Sequence, residues 1–249
     1  MPHRATALFA AALALPVPVS AGDLMPVGGM AGFSLDAADR AHGGVSTLLG
    51  HASTDIRDGA VGFQADAAGA VSLDGDDGYA GLAARPYLRV APNVFAGLYG
   101  AVGLESGASY TLGTEFAYAP ARGFGVDLFF SDTGGSQFDE GHVTNKSVDL
   151  FRTTPSGARY GIEGRKETLN RPGTSDSDFY AYGLHAEIPF RTQDRAMFTA
   201  SLGQIRYDAR DETYGEASIG LQWLLGPVPR RPTFGYRHGV LPGLIHNIH

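Results

Sequence analysis

The sequence predicts an all-β fold: a transmembrane, antiparallel, up-and-down β-barrel of about 12 strands, with ten and fourteen as the neighbouring counts. Three observations lead there. Segment after segment alternates apolar and polar side chains with a period of two, the signature of a strand with two unlike faces. The segments run about 9–12 residues, closer to a tilted membrane span of about 9–11 than to the globular mode of about 5–6. The connections between them alternate between short turns and longer polar loops.

The elements follow in order along the 249 residues. Arg4, the apolar run Ala5 to Leu15 and the small residues Val19-Ser20-Ala21 form a secretory signal peptide over 1–21. That run is too short for a membrane helix, which needs about 20 residues. The barrel is expected over 22–225, followed by an extension over 226–249. The weakest strand is PVGGMAGFSLD (26–36); the next spans 41–52 and sets Val45, Thr47 and Leu49 on one face. Val61, Phe63 and Ala65 oppose Gly62, Gln64 and Asp66; Leu82, Ala84, Pro86 and Leu88 oppose Arg85 and Arg89. Tyr110, Leu112, Thr114, Phe116 and Tyr118 form one stripe around Glu115, and Phe124 to Phe130 form another around Asp127. The clearest is Tyr180, Tyr182, Leu184, Ala186, Ile188 and Phe190 against Ala181, Gly183, His185 and Glu187.

The short connections are 91–93, 120–123, 154–157 and 191–195, and the long ones are 74–78, 105–109, 131–146, 167–178 and 208–213. Alternation alone does not say which stripe is inside, since a soluble β-sandwich alternates too. Composition decides for lipid on the apolar side. The polar stripe is rich in Gly, Ala, Ser and Thr, and Lys146 and Lys166 are the only lysines, where a soluble sandwich would place lysines on its exposed face. Aromatics such as Tyr110, Tyr118, Tyr180 and Phe190 sit toward the stripe ends, at headgroup level. The chain has no cysteine, which removes thiolate chemistry, and 35 glycines, which suits many turns and close backbone approaches. A net charge of −7 argues against nucleic acid as a partner.

The last strand carries a more specific signal. In SIGLQWLL, Ser218, Gly220, Trp223 and Leu225 follow the order polar, glycine, hydrophobic, hydrophobic. This resembles the closing strand of Gram-negative outer-membrane β-barrels, the porin-like class. The resemblance implies an outer-membrane location, lipid and the barrel-assembly machinery as partners, small hydrophilic solutes as cargo, short turns on the periplasmic side, and no cofactor. One departure stands out: 24 residues, Gly226 to His249, follow a signal that normally ends the chain. The extension reads as a periplasmic segment, a plug or an extra hairpin.

On this reading Arg85, Arg89, Glu115, Asp127, Asp149, Glu163, Arg165, His185 and Glu187 line the lumen. They either sort solutes by charge or pair into a network that fills a narrow barrel. Arg85 and Arg89 are the candidates for one wall of a constriction. The resemblance offers loop 131–146, with Asp132, Asp139 and Glu140, as an opposing acidic wall, although a solvated surface loop is the simpler and preferred reading. The function expected is a small passive channel; the alternative is a closed barrel that displays its loops. A lipid hydrolase is a remote third, resting on His51 and Ser53 two residues apart on the apolar stripe of 41–52. The tail histidines His238, His246 and His249 lack the partners of a metal site.

Overall fold

The computed structural model describes residues 25–39, 45–74, 78–104, 107–138, 141–173, 175–190, 193–226 and 230–235. Twelve strands make up the barrel: β1 (Met25–Ala38), β2 (Val45–Asp58), β3 (Val61–Ser72), β4 (Gly78–Ala91), β5 (Val94–Leu104), β6 (Ala108–Tyr118), β7 (Gly123–Gly135), β8 (His142–Thr153), β9 (Arg159–Asn170), β10 (Ser177–Phe190), β11 (Gln193–Tyr207) and β12 (Glu212–Leu224). Each pairs antiparallel with its sequence neighbours, and β1 pairs with β12 from Met30–Leu224 to Ala38–Glu216, which closes the sheet on itself. Closure matters physically because an open edge would leave a row of backbone donors and acceptors without partners in hydrocarbon.

One end of the barrel carries the start of β1, the finish of β12, the turns 59–60, 92–93, 119–122 and 154–158, and the connection between β10 and β11; we call it the terminal end. Gly59, with φ 56°, takes the left-handed conformation that the two-residue β2–β3 turn requires. The opposite, loop end carries the connections between β1–β2, β3–β4, β5–β6, β7–β8, β9–β10 and β11–β12.

The faces settle the question that alternation leaves open. Leu98, Leu112, Leu184 and Leu202 point outward and are between 59 and 67% exposed, whereas inward-facing Gln64, Arg85 and Glu167 have no exposure at all. A water-soluble barrel of this kind would leave a continuous apolar belt in water, far beyond the few hundred Å² that soluble proteins tolerate. Against hydrocarbon the same belt is the favourable face. Tyr110, Tyr118, Phe124, Tyr160 and Phe190 stand exposed toward the ends of this belt.

The structure changes two expectations. The strand expected over 41–52 runs to Asp58, and its faces are the reverse of those assigned: Leu48 is outward, while Leu49, His51, Ser53 and Asp55 are buried inward. Two adjacent leucines made the parity ambiguous; the continuation Asp55-Ile56 resolves it, because register sets Asp55 opposite Gln64 and Ser53 opposite Asp66, both on the inner face. The long loops also contract. β7 continues to Gly135 and β8 begins at His142, so the connection expected over 131–146 spans only 136–141. The connection expected over 167–178 likewise spans 171–176. Polar residues that read as loop are strand residues continuing the ladder beyond the apolar belt.

Leu184 lies midway along β10, opposite Ile162 on β9 and Leu202 on β11. Leu184→Arg is expected to lower stability in lipid vesicles by about 2–4 kcal/mol, the cost of a guanidinium near the bilayer midplane. Urea-unfolding midpoints of the reconstituted protein, compared with those of Leu184→Ala, check the value.

Candidate functional site

The lumen is the chemically dense region. Its small residues make room for large ones on neighbouring strands. A Cβ on Gly62 would come within 2.0 Å of the Tyr87 ring, one on Gly125 within 2.3 Å of Phe151, and one on Gly161 within 2.2 Å of His185. Each large ring therefore lies flat across a glycine of the next strand, and the wall reads alternately bare and bulky.

Arg85, on β4, sits at the centre of the first charge cluster. Its Nε is 2.7 Å from Asp66 of β3, its Nη1 is 3.4 Å from Glu115 of β6, and its guanidinium lies 5.2 Å from the centre of the Tyr99 ring. Asp66 also accepts from Ser53 Oγ and, at 2.9 Å, from Gln64 Nε2. Tyr99 in turn meets Phe129 edge-on at 5.1 Å. A second cluster forms where β9 begins. Arg159 contacts Asp149 at 2.8 Å and Asp127 at 3.1 Å, stacks 3.3 Å over Phe151, and shares Asp149 with His185 Nε2 at 2.7 Å. Near the loop end, Glu167 is wholly buried and accepts from Asn145 at 3.1 Å, with Arg165 at 3.6 Å.

Into this lumen comes the chain's own tail. Leu225 N–H bonds to Gly29 O at 2.9 Å, Gly226 turns the chain with φ 89°, and Gly29 N–H then bonds to Arg230 O at 3.1 Å. Arg231 Nε pairs with Glu187 at 2.7 Å, and its Nη2 donates to Gly157 O at 3.0 Å. Thr233 donates twice to Asp55, from N at 2.8 Å and from Oγ1 at 2.6 Å. Gln64 grips the backbone of Phe234 from both sides, accepting from N at 3.0 Å and donating to O at 3.1 Å. The Phe234 ring, 2% exposed, packs with Tyr87, Phe95 and Ala117, edge-on to Tyr87 at 5.6 Å. Arg85 Nη1 donates to Gly235 O at 3.0 Å, so the tail reaches the first cluster.

The residues expected on the lumen distribute as follows. Arg85, Glu115, Asp127, Asp149 and His185 are buried inside; Glu163, Arg165 and Glu187 are inside and half-buried; Arg89 is exposed at the terminal mouth. Asp132 belongs to β7, on the outer face beside His142 at 3.8 Å, so it forms no inward constriction. Asp139 and Glu140, like the segment 1–21 and the tail histidines, lie outside the described residues. His51 and Ser53 face the lumen rather than lipid, and Ser53 is engaged by Asp66, so a lipid-facing His–Ser pair is not formed. On β12, Ser218 bonds Ser201 across the inner face at 2.9 Å, Gly220 leaves no room for a Cβ beside Phe33 O, and Trp223 and Leu225 point outward, Trp223 against Phe33.

Sequence reading missed Asp55, Asp66, Arg159, Glu167 and the tail contacts of Arg231, Thr233 and Phe234. Asp66 and Glu167 were within reach by parity alone. Asp55 required the full length of β2, and Arg159, the first residue of β9, shares the parity of Glu163 and Arg165. The tail left a charge signal: Gly226 to His249 contains three arginines and no acid, opposite an acid-rich wall.

No family model matches the chain, and no curated protein matches it. Solved structures do. The NanC porin aligns at TM-score 0.59 and 7% identity over 78% of this chain and 98% of that one. The KdgM porin aligns at 0.52 and 12% over the same shares. An outer-membrane channel from Pseudomonas putida F1 aligns at 0.54 and 11% over 85% of this chain and 99% of that one. The likeness establishes the fold, that of outer-membrane porins and channels.

Removing the Arg85 charge while leaving Asp66 and Glu115 in place is expected to cost about 3–5 kcal/mol, the typical loss when one partner of a buried ion pair is deleted. Thermal unfolding of Arg85→Met in detergent measures it. The triple change Arg85→Met, Asp66→Asn, Glu115→Gln is expected to regain most of the loss, because no lone charge remains.

Proposed function

We propose that the protein is a small outer-membrane channel for the passive passage of hydrophilic solutes, exported through its 1–21 signal peptide and seated with the terminal end toward the periplasm. In this reading Ser218, Gly220, Trp223 and Leu225 are the signal recognised by the barrel-assembly machinery. The observation that carries the proposal is the charge imbalance of the inner wall. The buried carboxylates Asp55, Asp66, Glu115, Asp127, Asp149 and Glu167 outnumber the arginines set among them, Arg85 and Arg159, while Arg57, Arg89 and Arg165 are more exposed. A barrel interior serving only as packing would match its buried carboxylates with cations one for one, whereas here Arg85 and Arg159 each serve two. An acid excess is stable when water, cations or a movable cationic segment shares the lumen.

The complete burial of Gln64, Arg85 and Glu167 favours a second reading, a barrel that stays closed and serves through its loops. Planar-bilayer recording separates the two. The channel reading expects discrete conductance steps with cation preference, and Arg89→Glu at the terminal mouth is expected to move the reversal potential further toward the cation limit. Absence of steps from both the full chain and a chain ending at Leu225 would leave the closed barrel.

A further inference from the structure

The tail segment occupies its place as a bound peptide does, with every residue from Arg230 to Gly235 except Pro232 held by a specific partner. Backbone is read by Gly29, Asp55, Gln64 and Arg85, the arginine by Glu187 and Gly157 O, and the aromatic ring by Tyr87, Phe95 and Ala117. The receiving groups belong to the barrel wall and are prepared for this task. Gln64 has no exposure and Asp55 has 1%, and Tyr87 OH donates to Asp55 at 2.6 Å, which holds the carboxylate toward Thr233. With the segment withdrawn, Gln64 would lose both of its bonds to Phe234, and Asp55 both of its bonds to Thr233. Such groups must then find water or another peptide, because a buried polar group without a partner is costly. The wall comes close by design as well: a Cβ on Gly28 would lie 2.6 Å from Arg231 O, so only glycine lets β1 approach the tail.

From this we infer that the terminal half of the lumen is a binding site for an extended peptide carrying an arginine and, three residues on, an aromatic ring, and that residues 230–235 are its tethered occupant. Tethering supplies the occupant at an effective concentration on the order of millimolar, so the site is filled at rest even where each contact is weak. A free peptide of the same chemistry on the terminal side competes for the site, and its exchange with the tail changes the bore of the lumen. The inference rests on the channel reading only for that last consequence; the peptide site itself stands on the contacts.

The experiment uses the chain ending at Leu225, which keeps all of β12, purified in detergent and checked for heat-modifiable gel mobility. Fluorescence anisotropy follows binding of a labelled peptide with the sequence of residues 230–235. Saturable binding is expected, weaker by about tenfold or more in Glu187→Gln or Asp55→Asn versions of the truncated chain, given the strength of charge-assisted hydrogen bonds. The full-length chain is expected to bind little, because its own tail fills the site. Full-length Arg231→Ala/Phe234→Ala, which weakens the tail's hold on Glu187 and on the Tyr87–Phe95 pocket while leaving the wall intact, is expected to recover binding and serves in place of truncation if the shortened chain does not fold. Equal binding by full-length and truncated chains, or no saturable binding to either folded variant, overturns the inference. Binding without any conductance sinks the channel reading and leaves the peptide site standing; conductance without binding does the reverse.

Discussion

The hydrogen-bonded seam between β1 and β12 is the interaction on which the rest of this structure depends. Without it the chain would be a long open sheet, with two unpaired edges that hydrocarbon cannot satisfy. With it, every strand has two neighbours and the sheet acquires an inside. Inside and outside then become separate solvents, and the period-two alternation along each strand sorts its side chains between them. The leucines of the outer belt and the buried charges of the lumen are two results of one closure.

Once the ring is closed, its interior must deal with polar side chains pressed together away from bulk water. The protein does so by layering. Glycines on one strand accept the rings of the next, arginines lie against aromatic faces, and carboxylates are shared between two or three donors. Arg159, held by Asp127, Asp149 and the Phe151 face together, shows how one cation serves several neighbours. The acids nonetheless exceed the arginines set among them, and the arginine-bearing tail enters where that excess lies.

Much of this was legible in the sequence because alternation is a local property. Twelve strands, the outward Tyr110 and Trp223 stripes and the inward Glu115, Asp127 and Glu187 follow from parity within about ten residues. Parity failed where it was degenerate, at Leu48-Leu49, and there it carried His51 and Ser53 to the wrong side. Strand ends were misjudged at Asp132 for a different reason: beyond the apolar belt, strand residues become polar and look like loop. The tail was beyond any local rule. Thr233 bonds a residue 178 positions away and Phe234 one 170 away, through backbone and a single aromatic ring, which leave no periodic trace. The closing-strand pattern was readable, but the contacts that residues 230–235 make beyond it were not.

The reversal at Gly226 has a consequence for the order of assembly. Gly29 offers its carbonyl to Leu225 and its amide to Arg230, so a single residue of β1 holds both the end of the last strand and the returning tail. The groups that receive the tail stand on β1, β2, β3, β4, β5, β6 and β10, strands on both sides of the β1–β12 seam, so the full set is assembled only when the ring is complete. The tail's contacts are therefore completed last, after the seam has formed, at the end where β1 starts and β12 finishes. Residues 230–235 are thus the last piece to find all their partners, and their seating marks a finished ring.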